Sequence, residues 1–189
     1  AGAPSGAGSD SRTSVDDAAA SLEWAGTRTR YRGHPNPLHA RSPRLVELIT
    51  VCTGNICRSP LAAQLLQTRL ADLDPRVTSA GTRGLRSARM TRESAYLAQH
   101  LGVPAEVSST HRSRFLQEND LATPDLIIAM TREHRRDIAE LAPARLRHTF
   151  TVREFARLAA ATPDADLLSS AEAAGAAGGA RLRAAAEVL

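Results

Sequence analysis

The sequence predicts an α/β fold: a parallel four-stranded sheet flanked by helices, with the active-site loop directly after the first strand. Two observations carry this expectation. Apolar runs of strand length, Leu45 to Val51 and Leu126 to Met130, alternate with segments of helical spacing, the pattern of a sheet wrapped by helices. The first run also leads through a short Gly-containing loop into an Ala/Leu-rich helix. In a parallel sheet that junction lies at the carboxyl end of the strands, where ligands bind.

Residues 1–43 are rich in Gly, Ser, Pro, Ala and Arg, with turn pairs such as Arg32-Gly33. They are expected to form a flexible or disordered extension, relieved by a short helix within Val15 to Ala25 around Leu22 and Trp24. The domain is expected over 44–150. Leu45 to Val51 is its first strand. A helix from Leu61 follows, with Leu66, Leu70 and Leu73 beside Leu61 and Leu65 as a core-facing stripe, ended by Asp74-Pro75. Arg76 to Ala80 is a second strand running into Gly81. After a loop to Met90, Thr91 caps a helix that Gly102 stops. Leu126 to Met130 is the third strand, and Thr131 caps a helix closed by Pro143. Leu146 to Phe150 is the fourth. Residues 151–189 are expected to be a helical extension or insertion. Thr151-Val152-Arg153-Glu154 opens a helix through Ala161 as a capping box. Thr162 to Gly179 reads as flexible and Ala180 to Leu189 as helical.

The chemistry concentrates in Cys52-Thr53-Gly54-Asn55-Ile56-Cys57-Arg58-Ser59-Pro60. A strand–loop–helix junction presents backbone N–H groups and a helix N-terminus, which together hold anions. Into it the sequence places one thiol, Cys52, and one guanidinium six positions later, Arg58. A thiolate facing such a terminus is stabilised and nucleophilic, and the loop amides with the arginine fork can bind phosphate oxygens around it. Gly54 permits close backbone approach, and Asn55 tolerates left-handed angles and can brace the loop. Ser59 is placed to cap the helix or hydrogen-bond the thiolate. Cys57 is a candidate redox partner for Cys52. Cys52 and Arg58 are thus the expected catalytic pair, with Thr53, Gly54, Asn55, Ile56, Cys57 and Ser59 binding substrate.

Composition narrows the alternatives. The chain has 189 residues, 42% of them hydrophobic but only 3% aromatic, so its core is Ala, Leu and Val. The net charge of +4 has its positive excess in 44–150, and Arg76, Arg83, Arg86, Arg89 and Arg92 form a run without any acid, able to draw in anions. Two cysteines make neither a disulfide framework nor a zinc site, so no metal and no cofactor are expected. A thiol that must stay reduced suits the cytoplasm. There is no apolar run of membrane-span length, no signal-peptide core and no nucleic-acid motif. A monomer is expected.

The stretch from Val51 to Pro60 resembles the signature loop of low-molecular-weight protein tyrosine phosphatases, of bacterial type. Thr78-Ser79-Ala80-Gly81-Thr82, His111-Arg112-Ser113-Arg114 and Asp125 to His134 are similar to further family motifs in the same order. The likeness covers roughly Arg44 to Phe150. It implies a flavodoxin-like or Rossmann-like three-layer fold. It also implies hydrolysis of phosphate monoesters, protein phosphotyrosine above all, through a phosphocysteine on Cys52. Ser79 and His111 would brace the loop behind it. Two departures stand out. The family presents an aromatic wall where this chain has Leu85, which weakens the case for phosphotyrosine selectivity. The family's general acid is the Asp of a downstream Asp-Pro pair, whereas the Asp-Pro here, Asp74-Pro75, comes too early. Asp164 or Asp166 could serve instead. The favoured expectation is that the chain stops short of the acid loop, with Ala180 to Leu189 in an insertion preceding it. The competing expectations are a phosphate- or phosphoprotein-binding module without turnover and an arsenate reductase. The latter needs resolving cysteines beyond Cys57, of which there are none.

Overall fold

The computed structural model describes Gly2 and residues 46–84, 86–175 and 177–189. The expected N-terminal extension with its Val15 to Ala25 helix, as well as Leu45 and Leu85, lies outside the described residues. Four parallel strands form one sheet in the order β2-β1-β3-β4, with β1 Glu47–Cys52, β2 Arg76–Gly81, β3 Leu126–Ala129 and β4 Thr149–Thr151. The register pairs Cys52 with Gly81 and Val51 with Ala129, so the carboxyl ends of β1, β2 and β3 form one rim.

The helices are α1 Arg58–Arg69, α2 Arg92–His100, α3 Ala105–Thr110, α4 Glu118–Ala122, α5 Arg132–Leu141, α6 Val152–Ala161, α7 Asp164–Ala173 and α8 Gly178–Glu187. Strand alternation divides the core into two faces. Ile49, Val51, Ile127 and Ala129 pack with Leu121 of α4 and Ile138 of α5. Leu48, Leu126, Ile128 and Phe150 pack with Phe155 and Leu158 of α6 and with Leu182 and Ala186 of α8. The sheet is therefore the middle of three layers, as expected. The capping predictions also hold. Thr91, Thr131 and Thr151 each accept a hydrogen bond from the third residue beyond, and Glu154 closes the reciprocal bond to the Thr151 amide.

Several expectations are corrected. Leu66, Leu70 and Leu73 do not form the core stripe: Leu73 is 65% exposed, and α1 buries Ala63 and Gln64. Small side chains let this helix sit close to β1 and β2, while Leu61 and Leu65 turn outward against Met90, Ala98 and Val103. The chain leaves the α-helix at Arg69 for a 3-10 turn, Ala71–Leu73, which breaks the spacing that the stripe required. Leu146 to His148 belong to a 3-10 turn and β4 starts only at Thr149, because Pro143 opens that turn instead of ending the helix onto a strand. The polar connection before β3 holds α3 and α4. The segment Thr162 to Gly179 is not uniformly flexible, since α7 occupies most of it and packs on α8 through Ser170 Oγ, which donates to the Ala184 carbonyl at 2.9 Å.

At the amino end of the sheet, the buried Asp125 carboxylate accepts the Glu47 amide at 2.9 Å and pairs with Arg183 of α8. A methyl group added at Gly179 would overlap that carboxylate, so only glycine lets α8 start there. Asp125→Ala should destabilise the fold by about 2–4 kcal/mol, because it leaves a buried amide and a half-buried guanidinium without their acceptor. Urea unfolding measures this, and a loss within experimental error would show that α8 is not pinned through this pair.

Candidate active site

Cys52 ends β1 and is 2% exposed. Its Sγ lies 3.3 Å from the Asn55 amide, which donates to it, and 2.9 Å from Ser59 Oγ. Thr53 to Cys57 form the connecting loop, and Arg58 and Ser59 open α1. Cys57 holds the position before the helix and provides no side-chain cap, so Ser59 serves the thiol instead of the helix end. Among the described residues the first-turn amides of α1 have no side-chain acceptor, which leaves the positive end of the helix dipole facing the loop. Arg58 is exposed at the rim, and its Nη2 donates to Thr53 Oγ1 at 3.3 Å. Both cysteines are free, and Cys57 Sγ is held 2.8 Å from Ser94 Oγ of α2.

Asn55 shapes the loop. It is fully buried with φ 52°, the left-handed backbone that asparagine tolerates. Its Nδ2 donates to Ser59 Oγ at 3.0 Å and to Ser79 Oγ at 2.8 Å. Its Oδ1 accepts the Arg114 amide at 3.0 Å, and its carbonyl is 2.7 Å from His111 Nε2, which donates. Burial holds the His111 imidazole below its usual pKa against the opposing hydrogen bond, with Arg112 adding to the lowering. The carbonyl thus receives a neutral N–H donor. The expected braces Ser79 and His111 both reach the loop. The segment after β2 lies directly on it: a Cβ on Gly81 would come within 2.6 Å of the Thr53 carbonyl, and one on Gly84, at φ 113°, within 2.7 Å of the Gly54 Cα.

One neighbour of the loop escapes a reading of the sequence alone. His134 is buried on α5, with Nε2 2.9 Å from Thr53 Oγ1 and Nδ1 2.9 Å from Thr131 Oγ1. A neutral ring accepting from Thr131 and donating to Thr53 satisfies both partners. Thr53 Oγ1 then accepts from His134 and Arg58 and keeps its own proton for an incoming oxygen. Burial, reinforced by Arg58, lowers the His134 pKa against the opposing pull of Asp137 and Glu133. The available signal was position: a histidine in the first turn after the third strand's carboxyl end, behind a capping threonine.

The candidate acids lie on α7. Asp164 and Asp166 are exposed in the first turn of α7. They follow α6, a ten-residue helix roughly 15 Å long that starts beside Thr151. Among the described residues, no carboxylate bonds to any residue from Cys52 to Ser59. The arginine run is also divided. Arg76 pairs with Glu47 at 3.3 Å at the amino end of the sheet, while the Arg83 amide donates to the Thr53 carbonyl at the carboxyl end.

The profile of the family described as low molecular weight phosphotyrosine protein phosphatase matches residues 47–168, more than half of the chain. The chain belongs to this family. The low molecular weight protein-tyrosine-phosphatase Etp of Escherichia coli K12 is 38% identical over 96 residues, a stretch covering 51% of this chain and 62% of Etp. The chain thus spans under two thirds of that phosphatase's length. A protein-arginine-phosphatase of Geobacillus stearothermophilus is 32% identical over 109 residues, covering 57% of this chain and 70% of the relative. The crystal structure of the low molecular weight protein tyrosine phosphatase from T. tengcongensis superposes with a TM-score of 0.53 at 32% identity, covering 58% of this chain and 75% of that one.

Two predictions follow from the bonding around the loop. Asn55→Ala should cost about 2–4 kcal/mol, since it leaves the Arg114 amide without its acceptor, takes a donor from the Ser59 and Ser79 hydroxyls, and puts alanine in a left-handed conformation. Thermal unfolding that stays at the wild-type midpoint would contradict this. The lowered histidines also set a pH dependence. Between their native values and about 6.5 the unfolded chain binds protons that the native state does not, so stability rises with pH in that window. It is complete above the window and is lost as the pH falls through the native values. His134→Gln, which keeps a donor for Thr53, should reduce the slope of denaturant stability between pH 7.5 and 5. An unchanged slope would show that His134 does not titrate with folding.

Proposed function

We propose that this protein hydrolyses phosphate monoesters of proteins, with phosphotyrosine the principal substrate, through a phosphocysteine on Cys52. The observation that carries the proposal is the Cys52 sulfur, buried at the floor of the loop, within hydrogen-bond distance of the Asn55 amide and the Ser59 hydroxyl, beneath an uncapped helix start beside Arg58. The thiolate attacks phosphorus as the phosphorus–oxygen bond to the leaving group breaks. The transferred group's three oxygens are met by loop amides from Thr53 to Ser59, the Arg58 fork and the Thr53 hydroxyl. Water then attacks phosphorus, releasing inorganic phosphate and returning the thiolate, which the Ser59 hydroxyl stabilises as a leaving group. Ser79 and His111 act through Asn55 by holding the loop's curvature. The family's tyrosine phosphatases support an aryl ester as substrate. The arginine phosphatases among the relatives make a phosphorylated guanidinium the second candidate.

A tyrosine leaving group has a pKa near 10 and departs best when protonated, and among the described residues no carboxylate is bonded to the loop to supply that proton. This distribution of carboxylates favours, as a second possibility, a module that binds phosphoproteins with little turnover.

A comparison of substrates tests both. Para-nitrophenyl phosphate, whose leaving group is a weak base, should be cleaved readily, and phosphotyrosine peptides far more slowly by this chain. Cys52→Ser should bind vanadate but not turn over, and Arg58→Lys should lose about 10²–10³ in rate because a point charge cannot replace the bidentate fork. Turnover by Cys52→Ser would sink the covalent mechanism. Binding of phosphopeptide with no cleavage of either substrate by the wild type would favour the binding module. Comparable rates on both substrates, lost together in Asp164→Asn or Asp166→Asn, would identify the acid on α7.

A further inference from the structure

A cleft of about 950 Å³ opens between α5 and α6 on the same rim as the phosphate loop. Arg132, Arg135 and Arg136 line it from α5, and Arg153 and Arg157 from α6, against one carboxylate among the described residues, Glu154. Two of the five arginines are engaged: Arg135 lies 3.8 Å from Glu154 and donates to the Thr149 carbonyl, and Arg136 lies 3.7 Å from Glu140. Arg132, Arg153 and Arg157 are exposed and have no hydrogen-bond or ion-pair partner among the described residues. Like charges gathered around a concave surface raise one another's energy, and the cleft walls focus the field onto whatever enters. Two hydrogen bonds link the loop to the cleft. Thr131, which lines it, bonds His134, and His134 bonds Thr53.

We propose that this cleft is a subsite for the acidic flank of a phosphoprotein substrate, taking Asp and Glu side chains near the phosphorylated residue while the phosphate occupies the loop. The proposal rests on the phosphatase reading for the second half of that statement, but the cleft's affinity for acidic peptide does not depend on turnover. Peptide carboxylates suit it better than nucleic acid does. Among the described residues no aromatic side chain lines the cleft to stack a base, and the cleft lies between two helices instead of along a continuous backbone track. The unpaired guanidiniums present bidentate forks matched to carboxylates.

The test uses the 189-residue chain and phosphotyrosine peptides of equal length with Asp/Glu flanks or Asn/Gln flanks. The acidic peptide should be preferred by about tenfold in kcat/KM at low salt, the effect residing in KM and shrinking as salt rises, as expected for two or three exposed charge pairs. The triple variant Arg132→Gln, Arg153→Gln, Arg157→Gln should erase the preference while leaving para-nitrophenyl phosphate hydrolysis within about twofold, because none of the three is in the loop. Equal values for both peptides, or a preference that survives the triple variant, would overturn the subsite. A parallel measurement separates this failure from failure of the phosphatase reading. An acidic peptide without phosphate, followed by fluorescence anisotropy, should bind the wild type in a salt-dependent way and the triple variant far more weakly, even if neither protein turns over any phosphoester. Binding unaffected by the triple variant, or displacement of the peptide by an oligonucleotide at lower concentration, would reject an acidic peptide as the occupant.

Discussion

The side-chain amide of Asn55 is the point from which the candidate site is built. It is buried in a left-handed turn, where its two N–H groups reach α1 and β2 and its carbonyl oxygen takes the Arg114 amide. A hydrogen bond of this kind contributes only about 1 kcal/mol net, but a buried donor left without an acceptor costs about 1–3 kcal/mol. The network is consequently stable when complete and poorly tolerant of partial loss. Its effect is to hold the loop curved around the Cys52 sulfur, with one amide and the Ser59 hydroxyl turned onto it. The loop is therefore shaped before any anion arrives, which spares the reorganisation that a mobile loop would require.

Close packing supplies the second constraint. The segment after β2 presses on the loop at Gly81 and Gly84, where any larger residue would collide with backbone. On the other side α1 buries Ala63 and Gln64, and Gln64 meets α3 through Ser108, whose hydroxyl donates to its Oε1 at 2.8 Å. Positive charge is then distributed according to the sheet's direction. Arg76 is neutralised by Glu47 at the amino end, while Arg58, Arg132, Arg153 and Arg157 have no ion-pair partner among the described residues. An acidic segment long enough to reach the cleft meets this charge beside the loop.

Local rules were legible where the physics is local. Capping by Thr91, Thr131 and Thr151 depends on a side chain and an amide three residues apart, and all three form. The same holds for the strand–loop–helix junction, since the left-handed preference of asparagine and the reach of Ser59 act within a few residues. Legibility failed where a distant partner decides the outcome. The leucines of the first helix kept helical spacing, but the helix ends before Leu73 and its inner face is chosen by how near it must come to β1 and β2. The Ala/Gly/Ser-rich stretch after Ala161 looked flexible by composition, and α7 forms there with α8 to pack upon.

The sequence by itself determined the alternating α/β order, the position of the loop after the first strand, and the placing of Cys52 and Arg58 at the two ends of that loop, because each follows from short-range spacing and side-chain chemistry. It also singled out Ser79 and His111 by likeness to a family. Only the tertiary structure decided that His134, 81 positions from Thr53, touches that threonine, and that Asp164 and Asp166 lie at the far end of α6. It alone gathered arginines of two helices into one cleft beside the loop. The reason is the parallel sheet: every strand returns its carboxyl end to the same rim, so residues far apart along the chain become neighbours there, at distances that no local pattern records.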